Sequence, residues 1–489
     1  MKKIIGTLAL SVILMLSCSK EFISIDPVAT VTTDLVYKTD KDFQDALTNT
    51  YAVFQTVYSD MWQFGDLRGD DTKLGLVGNL GCSDMDKFIL NSDAGVLSSA
   101  WRNYYIIINR ANYILTKIAS ADPAVVTHKD RFIGETKFLR ALAYFNLVRI
   151  FGDVPLVTTV LSIDESYKVA REKTDKIYSD LIIPDLKVAE TSLPLVYTGA
   201  DVGRATMGAA KALLGKVYLT THDFVNAESK LQELTVAPFT YNLLPKYNDL
   251  FDYTKNEHHA EYIFDIEYEE GINEGSTFTT QFSLSFQASG ALSNVLISAF
   301  GLPASTVGSG GDQGCPTDEL FNAYDPADLR KGINVAKSYT YNGVTTPISP
   351  TGIGSFTLKY MVSSVKLNDS KANWKVIRFA DVLLMYAEAL NENNKTALAL
   401  TTLNRVRTRA GLTGYTGLTQ TDARDKILNE RRFELYLEGH RWFDLLRTGL
   451  AYSICQPLGM KTYNTVFPIP LAQIEVVNNP DIFPQNEGY

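Results

Sequence analysis

Two stretches of this 489-residue chain carry the same spacing of small residues, and that spacing restricts the fold more than any other feature. In ALLGKVYLTTHDFVNAESKL, Leu214, Gly215 and Tyr218 reproduce the L-G-x-x-Y start of a tetratricopeptide repeat, and Phe224 and Ala227 fall on its second-helix positions. Gly215 and Ala227, twelve residues apart, let two antiparallel helices approach closely. ADVLLMYAEALNENNKTALALTTLNRVR repeats the separation with Ala387 and Ala399. A helix pair cannot bury its apolar face alone, so it must stack on neighbours. The two units lie far apart in the chain, which predicts that they do not form one uninterrupted solenoid.

Hydrophobic residues at 45% and charged residues at 21% are ordinary globular values. A net charge of −9 argues against a nucleic-acid surface, because phosphate binding needs a positive field.

Further helical patterns run over Asp40 to Tyr58, with Thr39 or Asp40 as caps, and over Ser98–Ile118, Arg131–Ile150 and Thr174–Thr191. Gly152 and Pro155 stop the third of these patterns. EYIFDIEYEEG alternates apolar and acidic residues and reads as a strand. From about 270 to 372, Gly, Ser and Thr rise and helical periodicity fades except near Asp318–Tyr324. Loop-rich insertions of this length are usually functional. The fold class expected is all-α: tetratricopeptide-like helix pairs with a loop-rich insertion and a few short strands.

The first residues read as an export signal. Lys2 and Lys3 precede an apolar run from Ile4 to Leu16, too short for the about 20 residues that a bilayer span requires. Ser17 and Cys18 then resemble a bacterial lipobox, in which Cys18 is acylated; a plain signal peptide with an incidental cysteine is the competing reading. The division expected is 1–17 signal peptide, 18–33 lipid anchor and tether, and 34–489 a single domain. Cys82, Cys315 and Cys455 remain, enough for at most one disulfide and without metal-site spacing.

No H-E-x-x-H, G-x-S-x-G, P-loop or dinucleotide fingerprint occurs, and no catalytic residue, metal or cofactor is expected. The adjacent His258 and His259 read as a solvated pair. Glu430, Glu434 and Glu438 recur every four residues and could supply the paired acids of a glycosidase. Arg431, Arg432, Arg441 and Arg447 accompany them, however, and a carboxylate paired with arginine is a poor general acid. The expectation is an ion-pair brace. In RFADVLLMYAEAL, Glu388 is expected to pair with Arg405, Arg407 or Arg409.

Ligand-binding candidates are aromatic and planar polar side chains, which suit the C–H faces and hydroxyls of sugars. MWQFGDLRGDD, read as a loop, offers Trp62, Phe64, Arg68, Asp70 and Asp71. Tyr324, Tyr341 and Trp374 are further candidates. Phe278, Phe282, Phe286 and Phe300 are expected to pack their own loop, and Trp101 and Trp442 to lie in the core.

With these residues in view, the chain resembles the SusD/RagB family of outer-membrane nutrient-binding lipoproteins. The likeness runs nearly end to end: the lipobox-like start, WRNYYIIINRAN, ETKFLRALAYFNLVRIFGDVPLV, ATMGAAKALLGKVYL, YNLLPKYNDLF, PTDELFNAYDPADLRKG, ERRFELYLEGHRWFDLLRTG, and FPIP before NNP and QNEGY. It implies a helical scaffold carrying a looped face that binds glycan or another nutrient. It also implies a SusC-like, TonB-dependent outer-membrane transporter as partner and a lipid-anchored position on the cell surface. No fixed binding residues carry over. A secreted all-α glycosidase or lyase and a surface adhesion protein are the alternatives.

Overall fold

Thr39 opens the helical architecture: its hydroxyl accepts from the Asp42 N–H at 3.3 Å while the Asp42 carboxylate accepts from the Thr39 N–H at 2.9 Å. This capping box satisfies two donors that a helix start leaves unpaired. The computed structural model describes residues 37–75, 80–255, 257–303, 311–349 and 353–489. The signal, Cys18 and the tether lie outside them.

Helix α1 (Asp40–Tyr58) buries Phe43, Leu47 and Phe54 at the expected spacing. It is followed by α2 (Gly95–Ala119) and α3 (Lys129–Phe151). Helix α3 is buried on nearly every side, so its charges need internal partners. Glu135 receives Arg204 at 3.1 Å and the Tyr197 hydroxyl at 3.0 Å, and Arg140 grips Asp185 at 2.7 and 3.0 Å. Gly152 ends α3 at φ 73°, its N–H donating to the Val148 carbonyl. The helix expected over 174–191 is divided: a short turn at Thr174–Ile177 and a wider one at Tyr178–Ile182 precede α4 (Ile183–Ser192).

The first repeat unit forms α5 (Met207–Thr220) and α6 (Phe224–Glu233). A Cβ on Gly215 would come within 2.6 Å of Leu231 Cδ2, which explains the small residue at this crossing. The second unit forms α7 (Phe379–Glu392) and α8 (Thr396–Arg409), with Ala387 and Ala399 fully buried. Then come α9 (Gln420–Glu434) and α10 (Arg441–Arg447). From α1 to α8 each helix packs on the next, and α6 meets α7 directly. The two repeat units therefore abut, correcting the expectation of an interrupted array.

A neck of two strands makes this possible. β4 (Tyr262–Ile266) pairs antiparallel with β8 (Trp374–Arg378), so the chain leaves the stack and returns at one place. Between them lies the insertion, with a small core of Leu284, Leu292, Leu296, Cys315, Ala336, Ile348, Ile353 and Phe356. Alongside the expected helix near Asp318–Ala323, it contains an unexpected one over Phe286–Phe300, bent at the extended Ser289. Leu292, Leu296 and Phe300 supply the i, i+4 spacing that its Ser and Gly content obscured. The remaining strands form short antiparallel pairs: β1 (Thr72–Lys73) with β5 (Cys315–Pro316), β2 (Val154–Pro155) with β3 (Arg171–Glu172), and β6 (Ser338–Tyr341) with β7 (Val344–Pro347).

Candidate functional site

The insertion is fastened to the stack by buried charges. Helix α9 stops at Glu434, so Glu438 lies in the turn beyond it, where Leu437 and Gly439 adopt positive φ. Arg330, from the insertion, contacts Asp328 at 2.7 Å, Glu430 at 2.7 Å and Glu434 at 3.0 Å. Lys359, also from the insertion, holds Glu438 at 2.7 Å. On the scaffold side Arg378 meets Glu261 at 2.8 Å, Glu434 at 2.5 Å and Glu438 at 2.7 Å, and Arg409 contacts both Glu261 and Glu434. Burial alone pushes the Glu438 carboxyl up, but Arg378 and Lys359 outweigh it and pull it down to about 2. Glu434 is likewise held below the usual carboxylate range by Arg409, Arg378 and Arg330 despite burial. Such carboxylates hold no proton to give near neutral pH. The glutamate series is a brace, but not through the arginines that accompany it in sequence: Arg431, Arg432, Arg441 and Arg447 pair with Asp381, Asp71, Asp70 and Glu388 instead.

The partner of Glu388 differs from expectation: Arg447 embraces it, at 2.8 Å through Nη2. Arg407 instead binds Glu430 at 2.9 Å, and Arg405 lies over the Phe379 ring.

The segment read as a loop, MWQFGDLRGDD, contains a helical turn at Gln63–Leu67 and runs through the interior. Trp62 is fully buried, with Phe282 edge-on at 5.6 Å; Phe64 is edge-on to Phe467 at 5.2 Å. Arg68 lies over the rings of Phe88 at 4.2 Å and Phe467 at 4.8 Å, with Nη1 donating to the Met85 carbonyl. Asp70 pairs with Arg441 at 2.7 and 2.8 Å, and Asp71 with Arg432 at 2.7 Å. Trp374 stacks on Tyr360 at 5.8 Å and contacts Phe278 at 5.2 Å. Tyr324 is buried against Phe433 and donates to its carbonyl at 2.7 Å. Trp62 and Trp374 thus pack under Phe282 and Phe278 of the insertion, Tyr324 ties the insertion to the end of α9, and Phe64, Arg68, Asp70 and Asp71 are bound within the scaffold. The rings of Trp62, Phe64, Tyr324 and Trp374 are packed against neighbouring rings in the core.

Tyr341 is placed differently. It ends β6 beside a two-residue turn in which Asn342 (φ 49°) and Gly343 (φ 77°) adopt the left-handed conformation of a tight hairpin. Its half-buried side chain shares one face of the ribbon with the exposed Val344 opposite it, while the exposed Thr340 and Thr345, whose hydroxyls meet at 2.8 Å, form the neighbouring pair on the other face. The hairpin thus carries a half-buried aromatic ring on one face and a pair of exposed hydroxyls on the other. The threonines were missed; the alternating apolar and polar residues around Asn342 and Gly343 were the signal for them. Trp101 and Trp442 are buried, as expected, and so are Phe278 and Phe282. His258 and His259 are half-buried, with His258 Nε2 at 3.0 Å from Glu267.

Among the described residues no group of three or more His, Cys, Asp and Glu side chains could hold a metal ion, and no helix is long and apolar enough to cross a membrane.

Comparison with known proteins accounts for this architecture. Residues 31–219 match the family described as "Starch-binding associating with outer membrane", and residues 328–489 match the SusD family. SusD-like protein P25 of Formosa agariphila is 27% identical over 98% of both chains. The starch-binding protein SusD of Bacteroides thetaiotaomicron is 24% identical over 73% of this chain and 72% of its own. Among solved structures, a laminarin-binding SusD-like protein superposes with a TM-score of 0.77 at 28% identity, covering 93% of this chain and all of the other. The helical fold agrees with these relatives, and the chain belongs to the SusD/RagB family.

Proposed function

We propose that this protein captures a glycan at the cell surface and delivers it to a SusC-like, TonB-dependent outer-membrane transporter. The observation that carries the reading is the insertion itself. It leaves the stack through a single neck, is locked to it by Arg330 and Lys359, and lifts the Tyr341 hairpin to the surface. A rigid base under exposed loops preorganises a face for binding without supplying groups for turnover. The full-length likeness to a laminarin-binding SusD-like protein supports glycan as the ligand class. In this reading Tyr341 offers its ring to the sugar, while the buried Trp62, Phe64, Arg68, Asp70, Asp71, Tyr324 and Trp374 act indirectly by fixing the scaffold and its junction with the insertion. Acylated Cys18 anchors the protein to the outer membrane.

The test is calorimetric titration of a soluble form lacking residues 1–18 with laminarin and starch oligosaccharides. Saturable binding with the saccharides recovered intact is expected. Absence of binding to every saccharide, or their cleavage, overturns the proposal. A barrel-sized membrane protein should co-purify with the full-length chain. Cys18→Ala should move the protein from the membrane to the soluble fraction.

A further inference from the structure

Arg149, near the end of α3, lines a cavity of about 370 Å³ together with Lys216, Arg431, Phe443, Asp444 and Arg447. No residue of the insertion contributes to it, so it is separate from the face described above. Thr465, exposed, and Thr174 and Gly152, half-buried, stand on its wall and give it access to solvent. Aliphatic side chains, Leu219 and Met385 among them, supply an apolar side.

The charges around the cavity do not cancel. Lys216 is matched by Asp381 at 2.8 Å. Arg431 is matched by Asp381 at 2.7 Å and Asp444 at 2.8 Å, and Arg447 by Glu388 and by Asp444 at 2.8 Å. Three cations therefore meet three carboxylates. His440 adds no charge near neutral pH, since burial pulls its pKa down to about 3.

Arg149 is left over. Its Nε donates to the Phe145 carbonyl at 3.2 Å and its Nη2 to Asn146 Oδ1 at 2.5 Å, both neutral acceptors. The rings of Phe145 and Phe443 lie on the guanidinium at 4.0 and 4.1 Å. Nη1 has no acceptor among the described residues. Arg149 is half-buried and makes no ion pair among the described residues, and burial pulls its pKa below its ordinary value although Asp444 nearby acts the other way. With the ring contacts and two edges occupied, the donor capacity that remains is in the guanidinium plane, which is the geometry that receives a carboxylate.

We propose that this cavity is a second binding site, for a small organic monoanion whose carboxylate is received by Nη1 of Arg149 and whose body packs on the aliphatic wall. An acidic sugar and a non-sugar acid share this chemistry, and the probes separate them.

The experiment is titration of the full-length protein in detergent with glucuronate and with benzoate, each beside its neutral counterpart, glucose or benzyl alcohol. At least one acid should bind and its neutral counterpart should not. Arg149→Gln should weaken that binding tenfold or more, and Arg149→Lys should weaken it less. Tighter binding of glucuronate assigns the site to acidic sugars, and tighter binding of benzoate to non-sugar acids. If Arg149→Gln does not fold, Thr220→Trp, which fills the cavity from α5, should give the same loss. Failure of both acids to bind the unmodified protein, or binding unchanged in the folded variants, overturns the proposal. A failed titration with laminarin would leave this result untouched, because the two sites share no residue.

Discussion

Arg378 holds Glu434 twice: Nη1 donates to Oε1 at 2.5 Å and Nη2 to the backbone carbonyl of the same residue at 2.7 Å. One guanidinium thus fixes both the side chain and the last turn of α9. Replacing Glu434 leaves Arg378, Arg330 and Arg409 with less counter-charge in a dry interior. Glu434→Ala should cost about 3–5 kcal/mol of stability, read by denaturant unfolding.

The same brace sets an acid limit. The folded-state pKa of Glu438 is depressed to about 2 from an ordinary value of 4.5, so its contribution to stability is present above about pH 4.5. It is lost as pH falls toward 2. A melting-temperature series across this window should fall, and Glu438→Gln should flatten the fall.

Gly65 packs against the backbone of Gly439, where an added Cβ would lie 2.4 Å from the carbonyl oxygen. Backbone cannot swing aside as a side chain does. Gly65→Ala should therefore destabilise by about 1–3 kcal/mol or more, measured as a shift of the urea midpoint at constant slope.

Trp62 and Tyr341 should separate scaffold from face. Trp62→Ala removes a fully buried indole and should cost about 3–5 kcal/mol of stability. In the fraction that remains folded, glycan affinity should be retained. Tyr341→Ala should leave the melting temperature within a degree or two while weakening glycan binding by about 0.5–1.5 kcal/mol, several-fold in Kd. The opposite pattern would move the binding role inward to the tryptophans.

The helix stack was legible because its signals are local. Caps such as Thr39, the stop at Gly152 and the small pair Gly215 and Ala227 act within a turn or two of where they stand. The carboxylate brace was legible in kind, since alternating Glu and Arg on one helix ask for partners. Its wiring was not: Glu388 finds Arg447 across a tertiary contact, and Arg330 and Lys359 come from the insertion. The candidate site was least legible. Trp62 and Trp374 have the composition of a sugar platform, but an aromatic ring's value to a core equals its value to a ligand, and only three-dimensional placement decides which it serves. Tyr341 sits in a sequence that encodes its hairpin, yet nothing in that sequence says which side of the sheet meets solvent.

Asp70 and Asp71 take their arginines from 371 and 361 residues downstream, at Arg441 and Arg432. Until the C-terminal helices arrive, these two acids have no counter-charge and the turn that carries them has no reason to bury itself. Loop closure over such distances comes late and favours slow, concerted folding. The beginning of the fold therefore waits for its end.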